Sequence, residues 1–132
     1  MDAFLAAEAR RTIDALDLIS PGKNLSGFLL GHKRGKRYYI EALLPAPRGF
    51  HPNSENIIRL NRLFEDRIIG FFSFGPRSET GRNLLRPFAC GRMVLEALSN
   101  KRGLRFRASR IDYQGRFVLE KIDLTVEKAG HR

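Results

Sequence analysis

The sequence predicts an α/β domain in which helices flank a mixed β-sheet. Three observations predict it. Near the start, apolar residues recur at helical spacing. In the middle, Arg67–Phe74 is an almost unbroken apolar run of strand length, as expected of a central strand covered on both faces. In the last third, strand-length segments alternate apolar and polar residues between glycine-bearing turns. The order helix, hairpin, helix, strand, then further strands implies a layered sheet.

Residues 3–18 form the first expected helix, with Leu5, Ala9, Ile13 and Leu16 on one side and Asp2 as its cap. Ser20-Pro21-Gly22 ends it, because proline and glycine do not continue the hydrogen-bond ladder. Leu25–Gly31 and Arg37–Leu44 flank the basic stretch His32-Lys33-Arg34-Gly35-Lys36, which reads as a β-hairpin with a cationic tip. Residues 45–53 hold three prolines and a glycine and are a loop. Ser54 then caps a helix over Glu55–Phe64, with Ile57, Leu60 and Phe64 on one side.

The central run follows, then a polar loop from Gly75 to Arg82. Pro87 argues against a long helix over Leu84–Cys90. Met93–Leu98, Leu104–Ile111 and Arg116–Val126 are the closing strands, joined by Asn100-Lys101-Arg102-Gly103 and Tyr113-Gln114-Gly115. In the last, Ile122, Leu124 and Val126 alternate with Lys121, Asp123 and Thr125, so one face is wet. The whole of residues 1–132 reads as one domain, with a short tail from about residue 128.

Composition narrows the function. A single cysteine excludes a disulfide scaffold, and Cys90, between Ala89 and Gly91, is expected to be a small buried hydrophobe. His32, His51 and His131 are scattered, which predicts neither a metal site nor a cofactor. No apolar run approaches the ~18–20 residues of a membrane span, and the first residues lack the order of a secretion signal. A cytoplasmic location is therefore expected.

Two motifs fail on their chemistry. Gly31-His32-Lys33-Arg34-Gly35-Lys36 is one residue short of a phosphate loop, lacks the following Ser or Thr, and leads into a strand rather than a helix. Ser73 ends the central strand, yet no histidine or lysine stands near it in sequence to activate its hydroxyl.

Two stretches together carry a resemblance. Asn24-Leu25-Ser26-Gly27-Phe28-Leu29-Leu30-Gly31 resembles the Glu-x-x-Gly-x-Leu-x-Gly strand of the MPN/JAMM metalloprotease-like domains. Ile69-Gly70-Phe71-Phe72-Ser73-Phe74-Gly75-Pro76 resembles their Gly-Phe-Tyr-His-Ser-His-Pro strand end. The likeness spans residues 1–100, and the last two strands loosely. It implies a cytidine-deaminase-like layered α/β architecture. Active members cleave isopeptide bonds with a zinc ion held by two His and an Asp, a Glu that moves the proton of the bound water, and an assisting Ser.

Position by position, that chemistry is missing. The Glu position holds Asn24, the two His positions hold Ser73 and Gly75, and Ser-x-x-Asp falls on Asn83-Leu84-Leu85-Arg86. A guanidinium at Arg86 repels a divalent cation. The resemblance thus implies a zinc-free pseudo-enzyme serving as a protein-interaction or scaffolding module, through a partner or self-association. If Asn24, Ser73, Asn83 and Arg86 converge, they form a cationic pocket for a carboxylate such as a partner's C-terminus.

Charge supplies the alternative reading. Lys plus Arg number 24 against 14 acids, a net +10, which fits either non-specific contact with nucleic-acid phosphates or a solvated face. The hairpin tip carries Lys33, Arg34, Lys36 and Arg37, and a second basic stretch holds Lys101, Arg102, Arg105 and Arg107. Arg105 and Arg107 share one strand face opposite Leu104, Phe106 and Ala108. These eight residues are the candidate anion or nucleic-acid contacts, suited to non-specific phosphate binding.

Overall fold

The computed structural model describes residues 1–19, 25–45, 58–59, 62–64, 67–75, 90–100 and 103–127. The elements run β1 (Asp2–Leu5), α1 (Ala7–Ile19), β2 (Leu25–Arg34), β3 (Arg37–Pro45), β4 (Ile68–Gly75), β5 (Met93–Asn100), β6 (Gly103–Tyr113) and β7 (Phe117–Val126). The seven strands close into a barrel in the order β1-β3-β2-β4-β5-β6-β7. This overturns the expected helix-flanked α/β sheet. The hairpin, the central strand and the three closing strands are as expected, but their architecture is not.

The start of the chain makes the difference. Residues 2–5 form a strand instead of the first turn of a helix. Ala3 and Leu5 are buried while Asp2 and Phe4 are half-buried, the period-two pattern of a strand. β1 pairs in parallel with β3 on one side and with β7 on the other, so four residues join the two ends of the sheet. Asp2 accordingly caps no helix. The first helical N–H, that of Ala7, donates instead to Oε2 of Glu127 at 2.8 Å, across 120 residues of sequence.

Inside the barrel, Leu5, Leu29, Ile40, Phe72, Phe74, Met93 and Leu95 pack with Ala9 and Ile13 of α1. The helix thus adds its apolar side to the barrel core, and Arg10 lies over the Phe106 ring at 4.8 Å. A second cluster, on the other face of the wall, joins Phe28, Phe71, Val94 and Ile111 with Phe64 and Phe117. β4 is therefore buried on both faces, as its unbroken apolar run requires.

Close strand packing also explains two glycines. A Cβ on Gly70 would collide with the Met93 carbonyl of β5, and one on Gly31 with the Tyr39 carbonyl where β2 bulges against β3. Residues 58–59 and 62–63 are helical, within the expected second helix. The expected loop over 46–53, the segment Leu84–Ala89 and the tail from residue 128 lie outside the described residues.

Candidate interaction surface at the hairpin end of the barrel

Strand direction sorts the candidate cations. β2 runs toward its turn at Gly35-Lys36, and the starts of β1, β4 and β5 lie at that same end. β6 runs the other way, so Arg105, opposite Leu98, sits near the far end. The eight residues of β5 span about 25 Å at ~3.3 Å per residue. That separation exceeds the ~8 Å screening length at physiological salt, so Arg105 adds little to the field of the hairpin tip. Arg105 therefore stands apart from the cations of the hairpin tip.

At the hairpin end, several cations are already engaged. Arg37 grips Asp2 through Nε and Nη2, at 3.0 and 2.8 Å from Oδ2. This hydrogen bonding holds the Asp2 carboxyl below its ordinary range. Glu41 receives His32 Nδ1 at 2.7 Å and also pairs with Arg67. The His32 ring stacks on Tyr39 at 4.8 Å. Arg110 reaches Asp112 at 3.2 Å and Glu120 at 3.3 Å. Hydrogen bonds from Gln114 and the Tyr113 N–H lower the Asp112 carboxyl.

Behind these groups, Tyr38 is fully buried and donates to the Gly91 carbonyl at 2.6 Å, with Lys33 Nζ 5.2 Å from its ring centre. Burial pushes the Tyr38 phenol up, against the opposing pull of Arg110. Among the described residues, Arg34, Lys36 and Arg116 have no ion pair, and all three are exposed. Tyr113 and Leu119 are exposed on the neighbouring β6–β7 hairpin, with the Tyr113 ring 5.1 Å from Phe117.

The other candidates stand elsewhere. Ser73 is buried on β4, between Ser26 of β2 and Glu96 of β5 in register. Glu96 is buried too, and Arg107 reaches it at 2.9 Å, so Arg107 is engaged. That contact raises the Arg107 guanidinium. Arg105 is exposed, and Gly75 ends β4. Asn24, Asn83, Arg86, Lys101 and Arg102 lie outside the described residues, as do His51 and His131.

Cys90 is exposed in a turn, contrary to expectation, where Gly91 takes a φ of 83°. Among the described residues, no three His, Cys, Asp or Glu side chains stand together as metal ligands. Sequence reasoning missed Glu96, although a lone acid within Met93–Leu98 is a visible signal of a buried partner. It also missed Arg110 and Tyr113, whose roles depend on strand ends meeting in space.

No family model matches the chain, and no curated protein does. Among solved structures, it is similar to the solution structure of protein DSY2949 from Desulfitobacterium hafniense, at 15% identity and a TM-score of 0.62. That likeness covers 95% of this chain and 94% of the other, so the two share a fold over nearly their whole lengths. The MPN/JAMM resemblance is thereby corrected. A closed seven-strand barrel is not the layered α/β sheet it implied, and no family model supports it.

Proposed function

We propose that this chain is a non-catalytic protein-interaction module that works in the cytoplasm and meets an acidic partner with the hairpin end of its barrel. One observation carries the reading. Arg34, Lys36 and Arg116 stand exposed without ion pairs among the described residues, at the end that also exposes Tyr113 and Leu119. Arginine and tyrosine together are the side chains that anchor protein interfaces. An acidic partner suits the surface better than a second copy, which would set like charges against each other.

Binding rather than catalysis is supported by Ser73. Its hydroxyl is buried toward the far end of the barrel, whereas His32, the one histidine among the described residues, is held by Glu41 near the hairpin turn. The cytoplasmic setting is supported by the lone thiol. No helix of the described residues is long and apolar enough to cross a membrane.

The test is affinity capture from nuclease-treated cell extract, comparing the native chain with the triple variant Arg34→Glu, Lys36→Glu, Arg116→Glu. Specific proteins retained by the native chain and lost by the variant are expected. Capture unchanged by the charge reversal would overturn the reading.

A second reading, non-specific nucleic-acid binding, draws on the same cations and on the exposed ring of Tyr113, since an aromatic face can stack on a base. It predicts affinity for random RNA that falls steeply with salt. No binding at low salt would remove it.

A further inference from the structure

Among the described residues, the hydrogen-bond pattern of the barrel has an opening beside β7. β6 pairs with β7 along Phe117–Ile122, and β1 pairs with it only along Asp123–Val126. On its β1 side, Phe117–Ile122 has no paired strand among the described residues. The hydrogen bonds identify which groups face that gap. Glu127 N–H donates to the Leu5 carbonyl at 2.9 Å, so position 127 faces β1. Alternation by two then turns the N–H and C=O of Phe117, Leu119 and Lys121 toward the open side. Neither pairing of β7 contains a register shift that would break this count.

We infer that this open edge of β7 is a strand-addition site for an extended acidic segment of a partner protein. The inference rests on the interaction-module reading and gives it a binding mode. An incoming strand would occupy the lane that β1 leaves empty, about 5 Å from β7. Its backbone would satisfy the three outward N–H and C=O groups.

Charge selects the occupant. Arg116 and Lys121 border the lane on the β7 side, and Lys36 sits at the turn of the β2–β3 hairpin beyond β1. At the barrel mouth, Glu120 is already taken up by Arg110. A segment with acidic residues at alternate positions meets these cations while its backbone completes the ladder. A second copy would set Lys121 and Arg116 against their own images, and like charges across a strand pair are destabilising.

The test uses a dye-labelled peptide of alternating Glu and Val, its counterpart with Lys for Glu, and a Glu-Val version N-methylated on alternate amides. Anisotropy reports binding, and amide hydrogen exchange reports its place. The acidic peptide is expected to bind, with the amides of Leu119 and Lys121 becoming protected. Binding should weaken about tenfold or more, over 1.4 kcal/mol, for the Lys and N-methylated peptides.

Equal binding of the N-methylated peptide would overturn strand addition while leaving a purely electrostatic interaction module standing. Protection of those amides that rises with protein concentration, without peptide, would assign the edge to a second copy instead. Absence of binding by the acidic peptide would also overturn the inference, while partner capture sensitive to Arg34, Lys36 and Arg116 would keep the broader reading.

Discussion

Asp2 holds Arg37 with both carboxylate oxygens, the Nε atom lying 3.1 Å from Oδ1 and 3.0 Å from Oδ2. This clamp fastens the first strand to the hairpin turn at the point where the barrel closes. Just beside it, Asp2 N–H donates to the Lys36 carbonyl at 3.0 Å. Side chain and backbone therefore join the same two segments.

The clamp makes stability depend on acid. Arg37 depresses the folded-state pKa of Asp2 below its ordinary 3.8, so its stabilising contribution is fully present above that value. It is lost as pH falls through the lower, folded-state value. Urea unfolding followed from neutral pH to about pH 2 should show this loss, and Asp2→Asn should remove that part of the acid dependence. An unchanged profile in Asp2→Asn would show that the clamp contributes nothing.

Leu5 has no exposed surface and lies in the barrel core on its shortest strand. Leu5→Ala should cost about 2–5 kcal/mol, because the lost contacts leave a cavity that closed strands cannot collapse into. Denaturant midpoints measure it. A cost below about 1 kcal/mol would mean that β1 is not integral to the core.

Gly70→Ala tests the spacing of β4 and β5. The added methyl meets backbone, the Met93 carbonyl, rather than a side chain that can turn away. Destabilisation of about 1–3 kcal/mol is expected, with shifts in the amide resonances of Met93 and Val94.

The helix cap gives a fourth stability test. Glu127→Ala removes the acceptor for the Ala7 N–H and should cost about 1 kcal/mol. Faster amide exchange in the first turn of α1 should accompany it. Glu127→Gln, which keeps an acceptor oxygen, should restore most of the loss.

Arg107 and Glu96 form an unequal pair, one half exposed and the other buried. Arg107→Ala should cost about 1–2 kcal/mol, since it leaves a buried carboxylate without its partner. Adding Glu96→Gln should recover part of that loss. A double-mutant cycle with no coupling would show that solvent already satisfies Glu96.

Local structure was legible wherever the pattern was long. The hairpin turn, the doubly buried β4 and the alternation in β7 each extend over enough residues for one period to dominate. The first four strand residues were not. Leu5 fits both the helical series Leu5, Ala9, Ile13 and the strand pair Ala3, Leu5, and four residues cannot separate the two. The fold class depends on β1, because that strand turns an open sheet into a closed one. The candidate site suffered similarly, since sequence distance said nothing about which basic group lies at which end.

By itself, the sequence determined the cationic balance, the absence of an internal disulfide and most strand positions. Composition and local periodicity are properties that neighbouring residues carry without reference to the rest of the chain. Only the tertiary structure decided that the sheet closes, that Lys36 and Arg105 lie at opposite ends, and that among the described residues one side of Phe117–Ile122 in β7 has no paired strand. Each of these depends on register between strands far apart in sequence. Register is settled by hydrogen bonds and packing formed together, which no single segment encodes.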